Sequence, residues 1–218
     1  MTAIQYSQHD LGAVLVKARL LTSELMTAKA TLWNGLERRA TLASKAIIDE
    51  HDRMRMLAVT TIFRSSFWTA CFSAHCYFQY RKIFIKSFDE DGLSDICLAA
   101  NTAAHIHADI VPIELFNARE LTKSKEILVV LGETEKFIME CFETSFPNVK
   151  FARDAVTHNH DRSLSRYNKN DLNSDVGGRY ITDVGKIYVD HLGNDFSFDF
   201  TPEKFRRYLD NLEKLVDI

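Results

Sequence analysis

Glycine and proline are scarce in this chain, with 8 and 3 residues in 218, less than half of average usage. Sandwiches and barrels need turn residues about every 8–12 positions, so an all-β fold is excluded. Charge of one sign is also missing: 27 basic residues against 30 acidic ones leave a net charge of −3. Global electrostatics therefore gives no pull toward nucleic acid or acidic membranes, and any such site must be a local cluster. No long apolar run is present. The longest stretch without Lys, Arg, Asp or Glu, Ser65 to Tyr80, carries Ser, Thr, His and Gln, too polar and too short to span a bilayer. The opening Met1 to Tyr6 has neither a charged nor an apolar targeting segment, and a cytoplasmic protein is expected. Cys71, Cys76, Cys97 and Cys141 lie in apolar surroundings with no C-x-x-C pair, as buried thiols of a reducing compartment would.

What is present is helical spacing. Hydrophobic residues make up 46% and charged residues 26%, the balance of a globular domain rather than a disordered chain. Ser7 to Asp10 resembles a helix-capping start. Apolar residues then recur from Leu11 through Leu15, Leu25, Leu32, Leu36 and Ala43 to Ile47 in steps of three and four, which predicts a helix over 9–49. Unbroken, it would run about 60 Å. Either Asn34-Gly35 kinks it or it extends into a partner. A second helix is predicted over 53–80. A third starts at Ser94-Asp95 and ends near Ile110, stopped by Pro112. Residues 113–142 read as two helices joined near Gly132. Ser145 then caps, and Pro147 opens, a short helix over 147–160.

After His160 the character changes. Asp161 to Arg179 is a polar, Asn- and Ser-rich loop ending in Gly177-Gly178. Tyr180–Asp190 and Phe196–Phe200 flank His191 to Asp195, a hairpin signal in which Phe196, Phe198 and Phe200 share one face. Thr201-Pro202 starts a final helix to Val216. The expected architecture is mainly α: a bundle of about five helices over 1–160, with residues 161–218 supplying the loop, hairpin and last helix on the same domain.

The segment from Arg53 to Lys86 holds six basic residues, eight aromatics and no acid. Such interleaving can bind RNA, but a core helix with arginines near its ends explains it as well and is the reading adopted. The more informative stretch is Phe151 to Arg162. Arg153 and His158 stand five positions apart, about 140° around a helix and 7.5 Å along it, and Asp154 is one turn before His158. Between Lys150 and Lys169 lie five Lys or Arg and two Asp, a local excess of three positive charges. These are the parts that phosphodiester chemistry needs. An imidazole can take the proton of a ribose 2′-OH or protonate the leaving oxygen. A guanidinium can stabilise the added charge on phosphorus, and the surrounding cations can hold the backbone.

Arg153-Asp-Ala-Val-Thr-His158, entered from an apolar helix and followed by a polar loop, resembles the R-x4-6-H motif of the HEPN superfamily. The resemblance implies a HEPN-like helical bundle that forms a homodimer, with paired motifs making a composite, metal-independent ribonuclease site in active members. It carries Arg153 and His158 over as catalytic residues and Asp154 as their polar support. Lys150, His160, Arg162, Arg166 and Lys169 would then contact RNA, and a toxin or phage-defence role with a protein partner or antitoxin would follow. Neither metal nor other cofactor is expected. The alternative is a non-catalytic interaction or RNA-binding protein with the same bundle.

Other templates fit poorly. His105, His107 and Asp109 offer metal-ligand types, yet on a helix His107 points away from the other two. Gly177-Gly178 lacks the Lys-Ser or Lys-Thr of a phosphate loop, no G-x-S-x-G elbow occurs, and Trp33 and Trp68 read as core or interface.

Overall fold

The computed structural model describes Leu25 and residues 29–157, 179–182, 185–191 and 194–216. Seven helices lie among them: α1 (Ala30–Lys45), α2 (Glu50–Asp91), α3 (Asp95–Leu121), α4 (Lys125–Leu131), α5 (Glu135–Ser145), α6 (Val149–Thr157) and α7 (Pro202–Val216). Three strands, β1 (Arg179–Thr182), β2 (Lys186–His191) and β3 (Asn194–Asp199), form one antiparallel sheet in sequence order. The mainly helical expectation holds: six described helices precede the sheet, where a bundle of about five was expected, and a last helix follows it.

Local chemistry accounts for the added breaks. Of the helix predicted over 9–49, residues 9–24 and 26–28 lie outside the described residues, α1 ends at Lys45, and Asn34-Gly35 lies inside α1. The break falls instead where Asp49 caps α2, its carboxylate accepting from the Asp52 N–H at 2.9 Å. The same device divides α3 from α4, where Ser124 Oγ accepts from the Ile127 N–H. Gly132, in the left-handed region at φ 73°, ends α4 as expected, and Thr134 caps α5.

Two predicted boundaries move. α2 runs 42 residues to Gly92, about 63 Å at the usual rise, because Ile85 continues its buried face beyond Tyr80. α3 continues through Pro112 instead of stopping before it. An interior proline costs about 3 kcal/mol. That is outweighed by an unbroken buried row of Ala100, Ala104, Ala108, Val111, Leu115 and Ala118, all at most 5% exposed, at about 0.8 kcal/mol per buried methylene-sized group. The small alanines let α3 lie closely along α2. At the next junction Ser145 is the last residue of α5, its hydroxyl donating to the Cys141 carbonyl, rather than a cap. Pro147 precedes α6, which Asn148 enters from a positive φ of 64°.

The segment predicted as one strand from Tyr180 is two. Gly185, at φ 78°, folds β1 back on β2, and β2 pairs with β3 from Lys186–Asp199 to His191–Asn194. Phe198 and Phe200 are buried and Phe196 half-buried. The sheet and α7 share one hydrophobic core with the long helices: Phe67 of α2 meets Phe205 and Tyr208 of α7, and Tyr77 and Phe78 meet Phe200. Pro202 occupies the first position of α7, as expected. Trp33 is a core residue packed on Phe63, Phe67 and Trp68. Cys71 and Cys97 are buried as expected, whereas Cys76 and Cys141 are only half-buried; burial pushes the Cys71 thiol up from its usual range.

Candidate functional site

α6 carries the motif arginine, and its amphipathic pattern explains how it is held. Val149, Ala152 and Ala155 are buried, with two small side chains admitting close approach to α3. At its start Asn148 donates to the Ser197 carbonyl of β3 at 3.1 Å, and Phe151 stacks on Phe196 with ring centres 4.2 Å apart. The helix is thus clamped between α3 and the sheet.

Arg153 lies beside that buried face. Its guanidinium carbon sits 4.0 Å above the centre of the Phe116 ring of α3. Its Nε is 3.1 Å from Asp154 Oδ1, although the geometry makes no hydrogen bond, and this buried N–H has no hydrogen-bond partner among the described residues. The side chain is 27% exposed and that of Asp154 26%. The ring face and the carboxylate therefore orient the guanidinium, and about a quarter of the side chain stays exposed. Lys150, one turn earlier, is exposed.

Phe116 serves a second arginine, which sequence reasoning missed. Arg119 lies 5.9 Å from the same ring. Its Nε donates to Glu143 of α5 and its NH1 to Glu120, both at 2.6 Å, while Lys123 also donates to Glu120. Burial works against the Glu120 carboxylate, yet its Lys123 and Arg119 partners hold its pKa below the ordinary value. The legible signal was Leu115-Phe-Asn-Ala-Arg119, an aromatic and a cation one helical turn apart. Arg119 donates to two carboxylates, whereas among the described residues Arg153 has one, imperfectly placed.

His158, His160, Arg162, Arg166 and Lys169 lie outside the described residues. The basic, aromatic stretch of α2 behaves as a core helix. Phe63, Phe67, Tyr77 and Phe78 are buried, Arg55 and Arg64 pair with Glu126 and Glu37, and Arg81 is buried, donating to Asn101. His105 and His107 diverge as helical geometry requires. His105 is exposed, and His107 stacks on Tyr80 with centres 5.5 Å apart; burial lowers the His107 pKa. Among the described residues the one grouping with metal-like spacing is Asp49, His51 and Asp52, where Asp49 is already committed as a helix cap.

No family model, curated protein or solved structure matches this chain.

Proposed function

We propose that the chain is a HEPN-like, metal-independent endoribonuclease that works as a dimer. Arg153 binds the scissile phosphate, and His158 takes the proton from the ribose 2′-oxygen as it attacks phosphorus. The O2′–P bond forms, the P–O5′ bond breaks, and a proton passes to the departing 5′-oxygen, leaving a 2′,3′-cyclic phosphate. Asp154 orients Arg153. Lys150, His160, Arg162, Arg166 and Lys169 hold the backbone, and a toxin or phage-defence setting fits such an activity. The observation that supports this reading most is the Arg153 guanidinium, oriented by Phe116 and Asp154 but with one poorly used carboxylate. That is how a preorganised anion-binding arginine is held.

One observation favours a non-catalytic interaction protein: the Arg153 side chain is about three-quarters covered, and its ring contact alone would tie α6 to α3. Cleavage of a labelled mixed-sequence RNA in EDTA separates the readings. Wild type is expected to cut and leave cyclic phosphate ends, and folded Arg153→Ala and His158→Ala variants are expected not to. Variants that fold and cut like wild type would overturn the assignment, and failure of the wild type to cut any RNA would put the interaction protein first.

A further inference from the structure

The outer side of the α2–α3 pair carries two uncharged rows with the spacing of a helix seam. On α2 the row runs Ile62, Ser65, Thr69, Phe72 and Cys76, with Ile83 one heptad later. On α3 it runs Ile96, Ala99, Ala103, Ile106, Ile110 and Ile113. Both advance in alternating steps of three and four, an average of about 3.5, which keeps a row against a second helix along its whole length. The core does not use them. Ile62, Phe72 and Ile83 are 52%, 50% and 42% exposed, and Ile96 and Ile106 are 64% and 56% exposed. Two contacts fix how the helices meet: Tyr80 stacks on His107, and Arg81 donates to Asn101. At about 100° per residue, both rows then fall on one side of the pair. That side faces away from Phe67 and Phe78, which meet α7 and the end of the sheet. Asp95, Asp109, Glu114 and Lys86 stand at its margins, as polar groups rim the apolar centre of an interface.

We propose that this face docks on the same face of a second copy of the chain, closing a four-helix layer about a two-fold axis. The area suits such a pair. The row from Ile62 to Ile83 spans about 30 Å, and two helices side by side are about 20 Å wide. Each copy would then cover about 600 Å², or about 1,200 Å² together, the lower end for a stable interface. The charge suits it as well. An uncharged face meets its own copy without repulsion, whereas nucleic acid or acidic lipid calls for cations that neither row supplies. This seam differs from the one that the HEPN resemblance implies, where paired motifs meet. Phe116, which holds Arg153, lies about a third of a turn around α3 from the centre of the isoleucine row, so the motif stays outside the seam. The inference is independent of the ribonuclease reading.

Sedimentation equilibrium of the full chain over a range of concentrations tests the seam. Wild type is expected to dimerise with a dissociation constant of about 1 μM, little changed by salt because the seam is uncharged. Phe72→Glu and Ile106→Glu place like charges across the two-fold and should each weaken the dimer at least about a hundredfold. Leu42→Glu, at a comparably exposed position of α1, and Arg153→Ala should leave it intact. Circular dichroism checks each fold. Should neither glutamate variant fold, Phe72→Ser and Ile106→Ser take their place, each expected to weaken the dimer at least about tenfold. A monomeric wild type, including one that floats with liposomes instead, would overturn the proposal. So would folded face variants that dimerise like wild type, or a dimer that Arg153→Ala dissolves. RNA cleavage is scored separately on the same preparations, so a dimer that cuts no RNA counts against the ribonuclease reading alone.

Discussion

Replacing Phe116 by leucine should release Arg153 while leaving most of the packing between α3 and α6 in place. The guanidinium lies 4.0 Å over the ring centre, with 27% of the side chain exposed. Cation–π pairs are worth about 0.5–1 kcal/mol at exposed sites and about 2 when desolvated, so about 1 kcal/mol is expected here. The Arg153–Asp154 pair should be weaker. It is a quarter exposed, solvent screens it, and its Nε–Oδ1 approach makes no hydrogen bond, which puts it at a few tenths of a kcal/mol. Two double-mutant cycles by urea denaturation measure the two terms, one with Phe116→Leu and Arg153→Met, the other with Asp154→Asn and Arg153→Met. The expected couplings are about 1 kcal/mol for the ring and less than half of that for the carboxylate. A ring coupling below about 0.3 kcal/mol, the ordinary limit of additivity, would refute the view that Phe116 orients the motif arginine. A carboxylate coupling larger than the ring's would refute the ranking.

Three further outcomes test the fold. Gly185→Ala should cost about 2–4 kcal/mol, read as a fall in the urea midpoint. Its φ of 78° is unfavourable for an L side chain, and the new Cβ would lie 2.6 Å from Cζ of the buried Phe78 ring. His107 has its pKa lowered by burial from the usual 6.5. Its contribution is therefore complete above pH 6.5 and is lost as pH falls through the lower folded value. His107→Phe, which keeps the stack on Tyr80, should lose less stability than wild type between pH 7 and pH 5. Burial works against the Lys29 ammonium, but its hydrogen bonds to Asp210 and Glu213 of α7 prevail and raise its pKa above 10.5. Its contribution is then full below pH 10.5 and lost as pH rises through the higher folded value. The stability gap between wild type and Lys29→Met should be constant near neutrality and shrink in strong alkali.

The amino-acid sequence by itself determined the helical class, because apolar residues spaced three and four apart can be buried only on one side of a helix. It also determined the Gly132 joint and the proline start of α7, and the last paired strands were legible in the alternating phenylalanines. These depend on φ restrictions and on side-chain direction within a few residues. Arg153, Asp154 and Lys150 were legible as a basic helix beside a histidine-containing segment. The Phe116 ring under Arg153 was not. Tertiary structure alone decided that α3 continues through Pro112, since the row from Ala100 to Ala118 has value only when α2 lies against it. It alone decided that the guanidinium of Arg153 rests on Phe116, 37 positions earlier in the chain, and that the outer rows of α2 and α3 share one side of the pair. Spacing along one helix carries no record of the surface it meets. That surface is set by which hydrophobic faces close on one another, a choice made by the whole core at once.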